Sequence, residues 1–220
     1  MSKAYLTIDD APSENFEEKV EFLEGKNIPA IFFCEGRYIE KRMEKVVDAV
    51  EKGYIIGNHS YSHKKFSNLS IDEAKTEIEK TEKLIEEAYE RADTERPESF
   101  FRFPYGEREE GKKKKKLQEV LKEKSFRKPV FEDITYEWWR EKEQDKIDWF
   151  WTFDCMEYRI DDLNQILRRI QEEKPDKMKG ITADSADIIL IHDHSETHEK
   201  FQPIIKKLIE SGVNFCSPLK

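Results

Sequence analysis

Tyr5-Leu6-Thr7-Ile8 runs straight into Asp9-Asp10, and Ile188-Ile189-Leu190-Ile191 runs straight into His192-Asp193-His194. These two stretches decide the fold. Each is apolar on consecutive rather than alternating positions, which suits a parallel strand covered on both faces. Each then turns abruptly polar, so that charge gathers at the C-terminal end of the strand. Five more short runs share this composition: Ala30–Phe33, Tyr54–Ile56, Phe100–Phe103, Phe150–Phe153 and Val213–Phe215.

Amphipathic segments separate the runs. Ser13 is expected to cap a helix with Phe16, Val20 and Leu23 on its apolar face and Gly25 at its end. A second helix carries Ile39, Met43, Val46, Val47 and Val50 and stops at Gly53. Ser70 and Glu73 have the spacing of a capping box ahead of Ala74, Ile78, Leu84, Ile85 and Ala88. The last helix holds Phe201, Ile204, Ile205, Leu208 and Ile209 before Gly212. Alternating strands and helices predict an α/β fold with a parallel sheet. Seven strands in 220 residues fit a small barrel, and an open doubly wound sheet is the alternative.

No repeat or Gly/Ser tract divides the chain, so residues 1–220 read as one domain. Its least regular part is a charged insertion at about 107–148, where Lys112–Lys116 reads as a solvated face. A short extra strand is expected at Pro129–Phe131, and the Trp138-Trp139 pair as partly buried core.

Lys and Arg total 39 against 48 Asp and Glu, a net charge of −9. Such an acidic chain argues against a general binder of nucleic acid or anionic membrane. No apolar run approaches the roughly 20 residues of a membrane-spanning helix. The N-terminus enters a strand at once, leaving no room for a signal peptide, and the three cysteines are widely spaced. A cytoplasmic location is therefore expected. Cys34 and Cys155 fall at strand ends and read as buried, inert thiols.

Function is read from the strand ends. Asp9-Asp10, Asn58-His59-Ser60-Tyr61-Ser62-His63, Pro104-Tyr105-Gly106, Asp154 and His192-Asp193-His194 each follow a different run. In a parallel barrel these ends open on one rim, where active sites assemble. All five histidines lie in two clusters: His59 and His63, then His192, His194 and His198. Two at i and i+4 can share a metal, but both His59/His63 and His194/His198 have that spacing. Two carboxylates side by side need compensation, and Arg102, inside an apolar run, is a fitting cation. The residues alone thus point to a metal-assisted hydrolase with two His and one Asp as ligands.

Five ordered motifs between Thr7 and Phe215 resemble the polysaccharide deacetylases of the NodB-homology type, carbohydrate esterase family four. They are Thr7-Ile8-Asp9-Asp10, His59-Ser60-Tyr61-Ser62-His63, Arg102-Phe103-Pro104-Tyr105, an altered Asp154-Cys155-Met156-Glu157-Tyr158, and Leu190-Ile191-His192-Asp193. The resemblance implies a distorted (β/α) barrel of about seven strands. It also implies Asp10, His59 and His63 as ligands of a divalent metal, zinc first, with cobalt or nickel as substitutes. It makes Asp9 the base, Arg102 the residue that orients it, and the Tyr105 backbone N–H the donor to the carbonyl oxygen of an acetamido group. His192 becomes the acid, with Asp154 as the anion that raises its pKa. Pro104 is implied to fix the turn that aims the Tyr105 N–H, Leu190 to line the pocket for the acetyl methyl, and Pro104, Leu190 and Tyr158 together to be substrate-binding residues.

The implied substrate is an N-acetylated amino sugar or oligosaccharide. Glu157 and Tyr158 stand where the family pattern has Asp and Trp, and Ala11 where it has Gly. A non-sugar amide or cyclic imide is accordingly the alternative substrate, and a sugar-binding relative without catalysis the alternative class. The sequence names neither the sugar nor the oligomeric state.

Overall fold

Successive strand residues point to opposite faces, and here both faces are dry. The computed structural model, which describes residues 2–107, 111–170, 181 and 184–219, has strands β1 (Ser2–Ala11), β2 (Ala30–Cys34), β3 (Ile55–Asn58), β4 (Phe153–Asp154), β5 (Asp187–His192) and β6 (Val213–Phe215). The order is β3-β2-β1-β5-β4, with β6 paired to the start of β1, and every pair is parallel. Leu6, Ile8, Phe32, Ile56, Ile189 and Ile191 face one way. They pack beneath helices α1 (Phe16–Glu24), α2 (Gly36–Ile39), α3 (Met43–Glu51) and α4 (Ile71–Arg91) and the later helices α7 (Leu163–Ile170) and α8 (His198–Glu210). Tyr5, Ile31, Phe33, Ile55 and Ile188 face the other way, into an interior filled by Phe100, Phe131, Trp139 and Trp149.

Backbone hydrogen bonds carry the sheet round towards closure. Asn58 N–H donates to Phe100 O (2.8 Å), Arg102 N–H to Asn58 O (3.1 Å), and Trp149 N–H to Phe101 O (2.9 Å). Thr152 N–H then donates to Ile188 O (2.9 Å), and β4 pairs with β5. Among the described residues the parallel sheet has six strands rather than about seven, and it curves towards a distorted barrel without a ladder joining β3 to β4. Phe100–Phe103 supplies one bridge to Asn58 and no full ladder, because Pro104 and the left-handed Tyr105 end it at once.

The charged insertion holds α5 (Lys112–Glu123) and α6 (Glu137–Glu143). Helix α5 buries Leu117, Val120 and Leu121 against Phe101 and Phe103, while Lys112, Lys115 and Lys116 stay in solvent. Pro129–Phe131 is not a strand. Phe131 turns inward instead, with its ring 5.1 Å from that of Trp149, and with the buried Trp139 it plugs the barrel end opposite the rim. Trp138 is partly exposed.

Two helix expectations need correction. Ser13 does not cap α1, whose N-cap is Asn15; its hydroxyl and N–H instead donate to Asp193 across the barrel rim (both 2.7 Å). The single helix expected from Ile39 to Gly53 breaks into α2 and α3 around residues 40–42. The Ser70–Glu73 capping box is present, with both of its hydrogen bonds formed.

Gly57 is closely packed beneath the rim. A Cβ there would lie 2.7 Å and 2.8 Å from two ring atoms of Phe33, a fully buried side chain. Gly57→Ala is expected to lower stability by about 1–3 kcal/mol, the usual range for overpacking a filled core. Urea denaturation checks this, and a variant as stable as the parent would show that Phe33 has room to yield.

Candidate active site

Two consecutive carboxylates on a regular strand would point to opposite faces. In β1 the register against β2 slips between Asp9 and Ala11, and Asp10 takes a positive φ of 64°. This bulge re-aims Asp10, so both carboxylates line the same cleft. Asp9 is buried, and its Oδ1 accepts from Arg102 Nη1 at 2.7 Å. Arg102 has no exposed surface; it also donates to Thr7 Oγ1 (2.8 Å) and Trp149 O (3.2 Å), and it sits 4.4 Å from the Phe33 ring centroid.

The histidines come from the loop after β3. Asn58 anchors that loop: its side-chain amide donates to Ile78 O and Glu82 of α4, and its Oδ1 accepts from Ser60 N–H. Glu77, also on α4, accepts from both N–H and Oγ of Ser62 (2.7 and 2.8 Å). The loop so held presents His59 and His63 towards Asp10, with each Nε2 facing Asp10 Oδ1, at 3.3 and 3.1 Å.

The tautomer of His59 tests whether a cation fits there. Its Nδ1 lies 2.8 Å from the carbonyl oxygen of Arg102, which can only accept, so the proton is on Nδ1. In the neutral ring, Nε2 then offers a lone pair towards Asp10 Oδ1, a buried oxygen with no hydrogen-bond partner. Two acceptors then face each other, an arrangement relieved either by a second proton on the ring or by a metal cation held between them. Burial would lower the His59 pKa, yet Asp9 and Asp10 raise it above the ordinary value. Burial would likewise raise Asp10, yet the hydrogen bond from His194, with His59 and His63 beside it, holds its carboxyl well below the usual range. One ligand atom from each of Asp10, His59 and His63 lies within 4.8 Å of the other two, so a single metal ion can satisfy all three. His198 is elsewhere, 3.1 Å from Glu18.

His192 ends β5 on the same rim. Its Nδ1 lies 2.8 Å from Glu157 Oε1, which also accepts its backbone N–H at 2.6 Å. Burial alone would lower its pKa, but the Glu157 carboxylate raises it to about 9. The partner is therefore Glu157, not Asp154 as expected. Asp154 is turned into the following loop, where it accepts from Met156 N–H (2.8 Å) and Tyr158 OH (3.4 Å). Burial, together with the nearby Glu157, pushes Asp154 up to about 6. The extra methylene of Glu lets position 157 reach back to the imidazole.

These groups open on a cleft of about 820 Å³ lined in part by Tyr105, Trp151, Tyr158, Leu190 and His194. Tyr105, at φ 63° and 60 % exposed, stands beside His63, with ring centroids 4.6 Å apart. Tyr158 stands against His192, also at 4.6 Å. Pro104 is buried in the turn that precedes Tyr105 and does not line the cleft. Cys34 and Cys155 are fully buried, and burial pushes both thiols well above their usual range. His194, which its spacing to His198 had offered as half of the alternative metal pair, instead touches Asp10: its Nε2 is 2.7 Å from Oδ2. Its register two residues past His192, on a strand that pairs with β1, was the available signal.

Comparison with known proteins agrees with this architecture. Residues 2–127 match the family model for polysaccharide deacetylases. A peptidoglycan-N-acetylglucosamine deacetylase of Bacillus cereus is 36 % identical over 103 residues, covering 46 % of this chain and 36 % of that protein. The peptidoglycan-N-acetylmuramic acid deacetylase of Bacillus subtilis is 32 % identical over 82 residues, covering 37 % of this chain and 18 % of that one. The matches thus span about a third or less of these curated relatives. Among solved structures, a family 4 carbohydrate esterase from Streptomyces lividans in complex with acetate aligns over 99 % of this chain and 94 % of its own, with a TM-score of 0.70 at 21 % identity. A pseudoenzyme of the same family from Bacillus anthracis aligns over 96 % of this chain and 63 % of its own, with a TM-score of 0.67 at 22 % identity. Likenesses at this identity concern the fold.

A raised pKa means that folding favours the protonated imidazole. The stabilisation from His192 is therefore fully present below its ordinary value of 6.5 and is lost as pH rises through about 9. In the chelated apoprotein, Glu157→Gln is expected to move the His192 titration from about 9 towards 6.5. NMR titration of the imidazole checks this, and an unmoved midpoint would assign the shift to other charges.

Proposed function

Since the chain belongs to the polysaccharide deacetylase family, we propose that it is a metal-dependent hydrolase that removes the acetyl group from an N-acetylated amino sugar. The observation that carries the reading is an unligated carboxylate, Asp9, beside a triad built to hold a cation. Asp10, His59 and His63 would hold it, and two nitrogens with one carboxylate oxygen suit zinc, with cobalt or nickel as substitutes. When bound, such an ion polarises the amide carbonyl and lowers the pKa of water to near neutrality.

The protein's own groups supply the rest. Asp9, held on one oxygen by Arg102, keeps its other oxygen to take a proton from the attacking water. His192, charged through Glu157 at neutral pH, gives a proton to the leaving nitrogen. The C–O bond forms first, placing negative charge on the carbonyl oxygen; the C–N bond then breaks as the nitrogen takes the His192 proton, and the products are acetate and a free amine. The backbone N–H of Tyr105, in the turn after Arg102, would meet charge on the carbonyl oxygen. Leu190, at the cleft floor, offers apolar contact to the acetyl methyl. Tyr105 on the His63 side and Tyr158 on the His192 side give flat faces for a sugar ring.

The names of the relatives point to N-acetylglucosamine within a glycan as the first substrate to try. With zinc present, the chain is expected to release acetate from N-acetylglucosamine oligomers. Asp9→Asn is expected to lower that rate about 10²–10⁴-fold, the usual worth of a general base, while zinc binding persists. No acetate from any acetylated sugar would overturn the reading, and an Asp9→Asn variant of full activity would remove Asp9 from its role.

A further inference from the structure

The two oxygens of Asp10 are used differently. Oδ1 faces His59 and His63, whereas Oδ2 is 2.7 Å from Nε2 of His194. We propose that His194 is a positioning residue for the metal: by donating to Oδ2 it locks the Asp10 carboxylate so that Oδ1 alone is presented to the cation.

Three observations support this. First, Asp10 needs an external lock. It sits on a bulge at positive φ, where the β1 ladder is broken and no strand neighbour fixes its side chain. Second, His194 is itself held by a buried device that the proposed chemistry does not otherwise use. Asp193 and Lys19 form an ion pair at 2.5 Å with side chains 0 % and 1 % exposed. The same ammonium donates to the backbone carbonyl of His194 at 3.1 Å. Asp193 further accepts from the N–H and hydroxyl of Ser13, which ties the turn after β5 to the loop after β1. A buried pair of this kind adds little net stability, because desolvation offsets the attraction. Its effect is to fix geometry, and the geometry it fixes is that of the His194 turn against the Asp10 bulge. Third, the His194 ring stacks on that of His192, with centroids 5.2 Å apart and planes at 29°, which restricts its rotation.

Outer hydrogen bonds of this type orient metal ligands, and their removal costs about 10–100-fold in affinity. The inference rests on the metal triad proposed above and not on the identity of the substrate. The test is zinc affinity of the full chain by competition with a chromophoric chelator, together with apoprotein melting. His194→Ala is expected to bind zinc about 10–100-fold more weakly with melting unchanged, and His194→Gln, which can still donate an N–H, to recover much of the loss. His63→Ala serves as the reference for a lost ligand. Zinc binding by His194→Ala as tight as the parent's, while His63→Ala fails, would overturn the positioning role alone. An effect on KM with zinc affinity intact would do the same and make His194 a substrate contact. A parent chain that binds no zinc would overturn the metal reading itself.

Discussion

Arg102 ties together parts of the molecule that have no other common point. Its N–H joins the short 100–102 segment to Asn58 at the end of β3, helping to carry the ring of strands round. Its carbonyl sets the His59 tautomer, leaving Nε2 free towards Asp10. Its guanidinium, wholly buried, is spent on Asp9, Thr7 and Trp149, with the Phe33 ring against one face. A charge without solvent survives only if its partners are fixed. The requirement works in both directions: the apolar plug beneath holds Arg102, and Arg102 holds the carboxylate that the chemistry needs.

The same logic spreads round the rim. Several carboxylates there have a partner that also places a loop. Asp193 takes Lys19 and Ser13 and joins two loops; Glu157 takes both the ring and the backbone N–H of His192. Helix α4 reaches in from outside with Glu77 on Ser62, and with Glu82 on Asn58 and Arg96, so an outer helix steadies the histidine loop. The acidic rim is thereby a set of positioned pairs. Asp10 Oδ1 stands out as the buried carboxylate oxygen of the triad that this pairing leaves without a donor.

Much of this was legible in the sequence because strands buried on both faces write unbroken apolar runs, and each run ended in the polar residues that meet at the cleft. What stayed hidden followed from contacts between loops. Asp154 is first in its motif, but only Glu157, three residues later and one methylene longer than Asp, reaches His192. Ser13 looked like a helix cap because nothing local shows that Asp193, 180 residues away, will claim it. Phe131 looked like strand because a β-branched and aromatic run reads alike whether it joins a ladder or plugs a barrel. His194 was marked only by its spacing to His198, which misleads, since its contact with Asp10 depends on the register of β5 against β1.

Backbone conformation shows why such a site escapes local rules. Among the described residues, Asn27, Asp93 and Ser125 take positive φ just past the ends of α1, α4 and α5, where a left-handed residue commonly closes a helix. Asp10 does so on the β1 bulge, and Ser60, His63, Tyr105 and Met156 after strand segments, at the cleft or in the loops that shape it. None is glycine, and a non-glycine residue in this region costs of order 1–3 kcal/mol unless its surroundings impose it. Glycine would relieve the strain but remove the carboxylate at 10 and the imidazole at 63, so the side chain is kept and the backbone is forced. The forcing comes from the Asp9–Arg102 pair, the Asn58 and Glu77 braces and the Asp193 tie. The local cost of aiming two consecutive carboxylates into one cleft is thus offset by contacts between distant parts of the sheet, and the rim can hold its geometry only as part of the whole fold.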